Sequence, residues 1–295
     1  MLAAAVGWPA TAQNARPTFL AGVSRVTLNV VVRDDRGRAI TGLAGTDFQV
    51  FDEGRPVNLS DFRIGQEPVS VGILVDTSGS MSLGDRLATA RRATDMLLAN
   101  LGSGDEAALF TFDRTLHEVS PFSQDLAMVG RGFDRITPFG STSLHDAVAA
   151  AARQSATRGS SRRAIIAITD GFDNSSALTA VAASNIASSI DVPVYVLAVA
   201  NTSLPVGPRE VALEPVEGGG VARLDDLTRW TGGASFAAET AAQTSLSVRQ
   251  ILSDLRTGYV MAFAPHDTPP GWHRLTVLVA RRGATVRTRA GFWIG

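Results

Sequence analysis

Asp76, Ser78 and Ser80 follow directly on the apolar run Val69–Val75, so one carboxylate and two hydroxyls stand at i, i+2 and i+4 of a loop. Alternation places groups with that spacing on one side of an extended segment. A second apolar run ends at Thr169-Asp170-Gly171. Between the two lies Phe139-Gly140-Ser141-Thr142-Ser143-Leu144, a glycine-containing turn that opens a helical pattern and offers another hydroxyl. Oxygen-only donors of low total charge suit a hard divalent cation. The candidate metal ligands are therefore Asp76, Ser78, Ser80, Thr142 and Asp170. Mg²⁺ is the expected ion, with Mn²⁺ as a substitute; Ca²⁺ is disfavoured because it usually recruits more carboxylates.

Other chemistries fit these residues less well. Asx turns, Ser turns and helix caps account for one or two of them, but not for three loops offering oxygens together. Asp173 and Asn174 read as turn formers, and Asp146 as a first-turn acid facing a helix dipole. A hydrolase would need Ser78 or Ser80 as nucleophile and His145 as base. However, Gly-x-Ser-x-Gly is absent, and a chain without lysine has no Ser-x-x-Lys. His117, His266 and His273 are scattered, and no Gly-Lys-Ser/Thr phosphate loop exists.

The elements that must position these loops read as follows. Val69–Val75, Ala107–Phe112, Arg163–Thr169 and Val192–Val199 have the near-continuous apolar character of strands buried on both faces. Helical patterns over 86–101, 144–155, 177–189, 224–230 and 241–255 separate or follow them. This alternation predicts a mainly parallel sheet covered on both sides, with ligands at the carboxyl ends of its strands. The ends of the chain differ. Strand-and-turn patterns occur at 26–32, 48–51 and 57–64, and again at 259–263, 273–279 and 285–293, with no helix in either piece. The order predicts an α/β domain inserted in a small β-sandwich built from the N- and C-terminal segments. Asn201–Ala222, rich in Pro and Gly, reads as an exposed loop.

In this order, Asp76-x-Ser78-x-Ser80, Gly140-x-Thr142 and Thr169-Asp170-Gly171 resemble the metal-ion-dependent adhesion site of von Willebrand factor A domains. The resemblance spans about Pro68 to Leu255. The whole chain is similar to bacterial proteins of the VWFA-related kind common in Acidobacteria. The features in common are Val30–Gly37 with Leu43 and Asp47-Phe48 near the start, and Leu255–Tyr259, Arg274–Val279 and Ala290-Gly291-Phe292 near the end. It implies that Ser78, Ser80 and Thr142 give hydroxyl oxygens to the metal, and that Asp76 and Asp170 bind it directly or through water. The implied division is a signal or disordered segment at 1–18, an N-terminal β segment at 19–66, a Rossmann-like VWA domain at 67–255 and a C-terminal β segment at 256–295.

Composition narrows the partners. Of 295 residues, 45% are hydrophobic and 19% charged, and the formal net charge is −1, so no bulk field attracts nucleic acid or an anionic membrane. There is no cysteine, which excludes disulfides, thiolate metal sites and cysteine nucleophiles. Every basic residue is arginine, and those at 256, 274, 281, 282, 287 and 289 read as a solvated strand face. No run approaches the roughly 18 apolar residues of a membrane span. The apolar run Leu2–Trp8 before Ala10-Thr11-Ala12 reads as an export signal, leading to the periplasm or cell surface. The expected function is a non-enzymatic protein-binding or adhesion module whose metal accepts an Asp or Glu of a protein partner. The alternative is a structural or assembly protein, or an adaptor to a separate ATPase, with a purely structural metal.

Overall fold

The structure, a computed structural model, describes residues 25–65, 67–159, 162–171, 173–199, 221–266 and 269–294. The expected export signal and most of the 201–222 loop lie outside them; Val221 and Ala222 begin a helix. Strands β1 (Val26–Arg33), β2 (Phe48–Asp52), β3 (Arg55–Val57) and β4 (Leu59–Ile64) come first. The α/β part follows as β5 (Val69–Asp76), α1 (Arg86–Asn100), β6 (Glu106–Phe112), β7 (Leu116–Ser123), α2 (Leu126–Arg131), α3 (Leu144–Ala156), β8 (Arg162–Thr169), α4 (Ala180–Ser189), β9 (Val194–Ala198), α5 (Val221–Thr231), β10 (Ser235–Ala237) and α6 (Ala241–Thr257). Strands β11 (Tyr259–Phe263), β12 (Gly271–Val279), β13 (Thr285–Arg287) and β14 (Gly291–Ile294) close the chain.

The central sheet has six strands in the order β10-β9-β8-β5-β6-β7, and among its pairs only β6–β7 is antiparallel. This is the expected Rossmann-like, mainly parallel sheet, with β5 at its centre. β5 is buried along its whole length. Its alternate side chains Val71, Ile73 and Val75 pack with α1, α2 and α6, while Leu74 packs with α3, α4 and α5 on the other face. Each such aliphatic side chain contributes about 1.5–3 kcal/mol by leaving water. Two strands were not expected from the sequence. β7 is partly exposed and contains Pro121, as an edge strand tolerates; β10 spans three residues.

Two further four-stranded sheets, β13-β1-β11-β4 and β14-β12-β2-β3, each mix strands from both ends of the chain. Their facing side chains, among them Leu28, Val30, Phe48, Val50, Tyr259, Met261, Val277 and Phe292, form one core. Two single strands expected from the sequence are each divided between these sheets. Residues 57–64 split because β3 pairs with β2 while β4 pairs with β11. Residues 285–293 split because β13 pairs with β1 and β14 with β12.

The basic C-terminal end is not a solvated face throughout. Arg289 is 4% exposed and donates to the carbonyls of Ser188 and Thr27. Arg287 and Arg33 both bond the fully buried carboxylate of Asp254 in α6. Together these arginines join the sandwich to the α/β part. Helix α4 also begins later than expected. The N–H groups of Ala177 and Leu178 are taken by the Asp146 carboxylate, and Thr179 caps the helix by accepting from Ala182 N–H. Asp146 is in the first turn of α3 as expected, but it clamps this neighbouring loop.

Candidate metal centre

Strands β5 and β8 are adjacent and parallel, with Val75 opposite Ile168, so their carboxyl ends emerge side by side. Asp76 and Asp170 are both fully buried there. Thr169 Oγ1–H donates to Asp76 Oδ2 at 2.6 Å, and the Ser78 backbone N–H donates to Oδ1 at 2.8 Å. Ser78 is buried, and its Oγ lies 3.0 Å from Ser80 Oγ. Ser80 belongs to a 3₁₀ turn, Gly79–Ser82, that leads to α1.

The third loop is tied to the first by its backbone. Gly79 N–H donates to Gly140 O at 2.9 Å, and Phe139 N–H donates to Thr77 O at 2.6 Å. Gly140 has φ +95° and Gly171 φ +92°, a region that L side chains rarely adopt, so both turns favour glycine. Thr142 is buried. Its N–H donates to Asn174 Oδ1 at 2.9 Å and its carbonyl accepts from the N–H groups of Asn174 and Ser175. Asn174 and Asp173 are thus turn formers, as expected, and they hold the loop that carries Thr142. The structure therefore brings Asp76, Ser78, Ser80 and Asp170 to one sheet edge and fastens the Thr142 loop to it.

Two residues at this edge escaped sequence reasoning. Arg86, the first residue of α1, donates through Nη1 to Asp170 Oδ2 at 2.8 Å and to Ser80 O at 3.0 Å. Asp113 follows β6, and its carbonyl accepts from Ser143 N–H. The Asp113 carboxylate turns to Thr115 N–H and the His117 ring. A charged residue just past a buried strand end was a usable signal for Asp113. No local signal exists for Arg86, because the partner that defines its role is 84 positions away.

Burial pushes the Asp76 carboxyl up to about 6, and the charge of Asp170 pushes the same way, against the hydrogen bonds from Thr169 and Ser78. A cation at this edge would relieve both effects. Asp170 Oδ1 is buried and has no hydrogen-bond partner among the described residues, and the same holds for Ser143 Oγ. An orphaned carboxylate oxygen is costly unless something positive meets it. No group of three His, Cys, Asp or Glu side chains gathers for a metal among the described residues. A cation here would depend on hydroxyls and water as well as the two carboxylates. That donor set fits a hard, partly hydrated divalent ion.

The arrangement does not form a nucleophile–base pair. Ser78 Oγ faces Ser80 Oγ. The His145 ring is 3% exposed, and its Nδ1 lies 3.2 Å from Leu178 O and 3.1 Å from Asp173 Oδ2. It serves the start of α3 instead.

Residues 71–172 match the von Willebrand factor type A domain family. No curated protein matches the sequence significantly. Among solved structures, an aerotolerance-related membrane protein from Bacteroides fragilis shares 22% identity over 63% of this chain and 98% of its own, with a TM-score of 0.52. A conserved hypothetical protein, BatB, from Bacteroides thetaiotaomicron shares 22% identity over 64% of this chain and 100% of its own, with a TM-score of 0.51. A von Willebrand factor type A protein from Catenulispora acidiphila shares 14% identity over 93% of this chain and 75% of its own, with a TM-score of 0.52. These likenesses concern the fold.

Proposed function

From the premise that the chain carries a von Willebrand factor type A domain, we propose that it is a non-catalytic recognition module using a divalent ion held by Asp76, Ser78, Ser80, Thr142 and Asp170. The observation that carries this reading is Asp170 Oδ1, buried and unpartnered at the end of β8, the strand next to the one that leads into Ser78 and Ser80. Mg²⁺ is the proposed ion and Mn²⁺ its substitute. When bound, the ion supplies an electrophilic position for an anionic oxygen. The residues hold and orient it, and burial keeps competing water from the carboxylates.

The surroundings favour a macromolecular partner. Phe139 is 81% exposed and Leu83 58% exposed. Phe139 sits one residue before Gly140, and Leu83 N–H bonds Ser80 O, so both rise from loops of the site. Large apolar side chains left in water beside a polar centre mark contact surfaces. We therefore read the partner as a protein that offers an Asp or Glu to the ion and apolar groups to this rim. Export to the periplasm or cell surface is part of the same proposal. No helix among the described residues is long and apolar enough to cross a membrane.

The test is capture of partners from the source organism by the full chain in Mg²⁺ and in EDTA, with Thr142→Ala as a second condition. The proposal expects a set of proteins lost under both. A set unchanged by both would leave the fold standing and overturn metal-mediated recognition.

A further inference from the structure

We infer that Arg86 sets the charge of this site, lowering its affinity for the cation and strengthening the pull of the loaded site on an anion. The inference rests on the metal reading above. Its basis is the position of one guanidinium. Nη1 of Arg86 bonds Asp170 Oδ2 and Ser80 O, so it grips the same carboxylate whose other oxygen is left unpartnered. The Asp170 side chain is 0% exposed and that of Arg86 26%. The Arg86 side chain therefore joins a fully buried carboxylate while remaining partly exposed itself.

The charge balance follows. Two buried carboxylates, Asp76 and Asp170, and one guanidinium leave the site at net −1 before an ion enters. A divalent ion turns it to net +1. The third carboxylate of this edge, Asp113, gives Oδ1 to Thr115 N–H and the His117 ring and lies beside Gly140; it has no bond to Asp76, Asp170 or Arg86 and is counted with His117. Without Arg86 the loaded site would be neutral, and an anionic ligand would be drawn by the ion's open position alone. With it, one acidic group restores neutrality. Arg86 is partly exposed, and a guanidinium has N–H donors beyond the Nη1 used here, in the fork geometry that suits carboxylates.

Two roles for Arg86 predict opposite signs. If it merely positions Asp170 and the Ser80 turn, its loss disorders the ligands and weakens metal binding. If its charge dominates, its loss tightens metal binding. A unit charge at contact distance alters a carboxylate's affinity for a proton by ~10- to 1000-fold, and a doubly charged ion feels it more strongly. The charge effect should therefore win.

The experiment measures Mn²⁺ binding to the full chain by the electron paramagnetic resonance of free Mn²⁺, in chloride and in acetate buffers. Wild type, Arg86→Met, Arg86→Gln and Arg86→Lys are compared, with circular dichroism to select folded variants. The expected result is that the neutral variants bind Mn²⁺ at least about tenfold more tightly, whereas Arg86→Lys stays near wild type. Acetate should strengthen Mn²⁺ binding by wild type more than by the neutral variants. Weaker or unchanged Mn²⁺ binding by a folded neutral variant overturns the inference but leaves the metal site intact. Absence of Mn²⁺ binding by wild type overturns both.

Discussion

At the scale of single residues, Asp76 is the most constrained group of the site. Both of its oxygens already accept hydrogen bonds inside the protein, from Thr169 and Ser78. Its charge is costly to bury and is the strongest local attraction for a cation besides Asp170. Asp76→Ala leaves neutral hydroxyls and one carboxylate that Arg86 already neutralises. It should abolish Mg²⁺ binding in isothermal titration, and full affinity in this variant would remove Asp76 from the site. Phe139 makes a different prediction. Its side chain lies in water, so Phe139→Ala should leave Mn²⁺ affinity unchanged and stability within about 0.5 kcal/mol. It should weaken binding of a captured partner by about 1–2 kcal/mol or more if the apolar rim is used. Equal partner affinity would show that the rim is idle.

At the scale of elements, the start of α3 holds the Thr142 loop in place. Asp173 accepts from the His145 N–H and from Ser176 N–H and hydroxyl. Burial works against its ionisation, but these bonds and the adjacent His145 ring hold its carboxyl below the ordinary 3.8. A depressed carboxyl stabilises the fold above its unfolded value and loses that contribution as pH falls through its folded value. Urea denaturation should therefore show stability falling below about pH 4, and the acid-dependent part should shrink in Asp173→Asn. An identical profile for both proteins would assign the acid sensitivity elsewhere. Asp146 is the companion clamp, taking two backbone N–H groups of the segment before α4. Asp146→Ala removes both bonds, of which only the Leu178 N–H is partly buried, and should cost roughly 0.5–1.5 kcal/mol in the same measurement.

At the scale of the whole molecule, each sandwich sheet contains strands from both ends of the chain, so neither end piece has a complete sheet by itself. We propose that residues 67–255 form an autonomous unit. Expressed alone, that segment should give a cooperative unfolding transition, and residues 19–66 should give none. A folded N-terminal piece would count against this division. The joint between the two parts is the buried ion cluster of Arg33, Asp254 and Arg287, with the Arg287 guanidinium 5.7 Å from the Tyr195 ring centroid. Removing one member strands the opposite charges out of water. Asp254→Ala should cost about 3–5 kcal/mol in the full chain, and chemical denaturation reads it directly.

The sequence by itself determined four of the six strands of the central sheet, β5, β6, β8 and β9, and the loops that carry the candidate ligands. Continuous apolar runs such as Val69–Val75 and the spacing Asp76-x-Ser78-x-Ser80 are local signals, read without knowing any distant partner. The mixed ends were legible as β structure for the same reason. Only the tertiary structure decided how those strands are shared. Residues 57–64 and 285–293 each look like one strand, because sheet membership depends on partners far along the chain and not on propensity. Edge strand β7 was hidden by Pro121 and by its exposure. Arg287 and Arg289 read as surface charges and Arg86 gave no signal, since an arginine's role is set by the carboxylate or carbonyl that reaches it. Here those partners are Asp170, Asp254 and the carbonyls of Ser188 and Thr27, all brought close by folding.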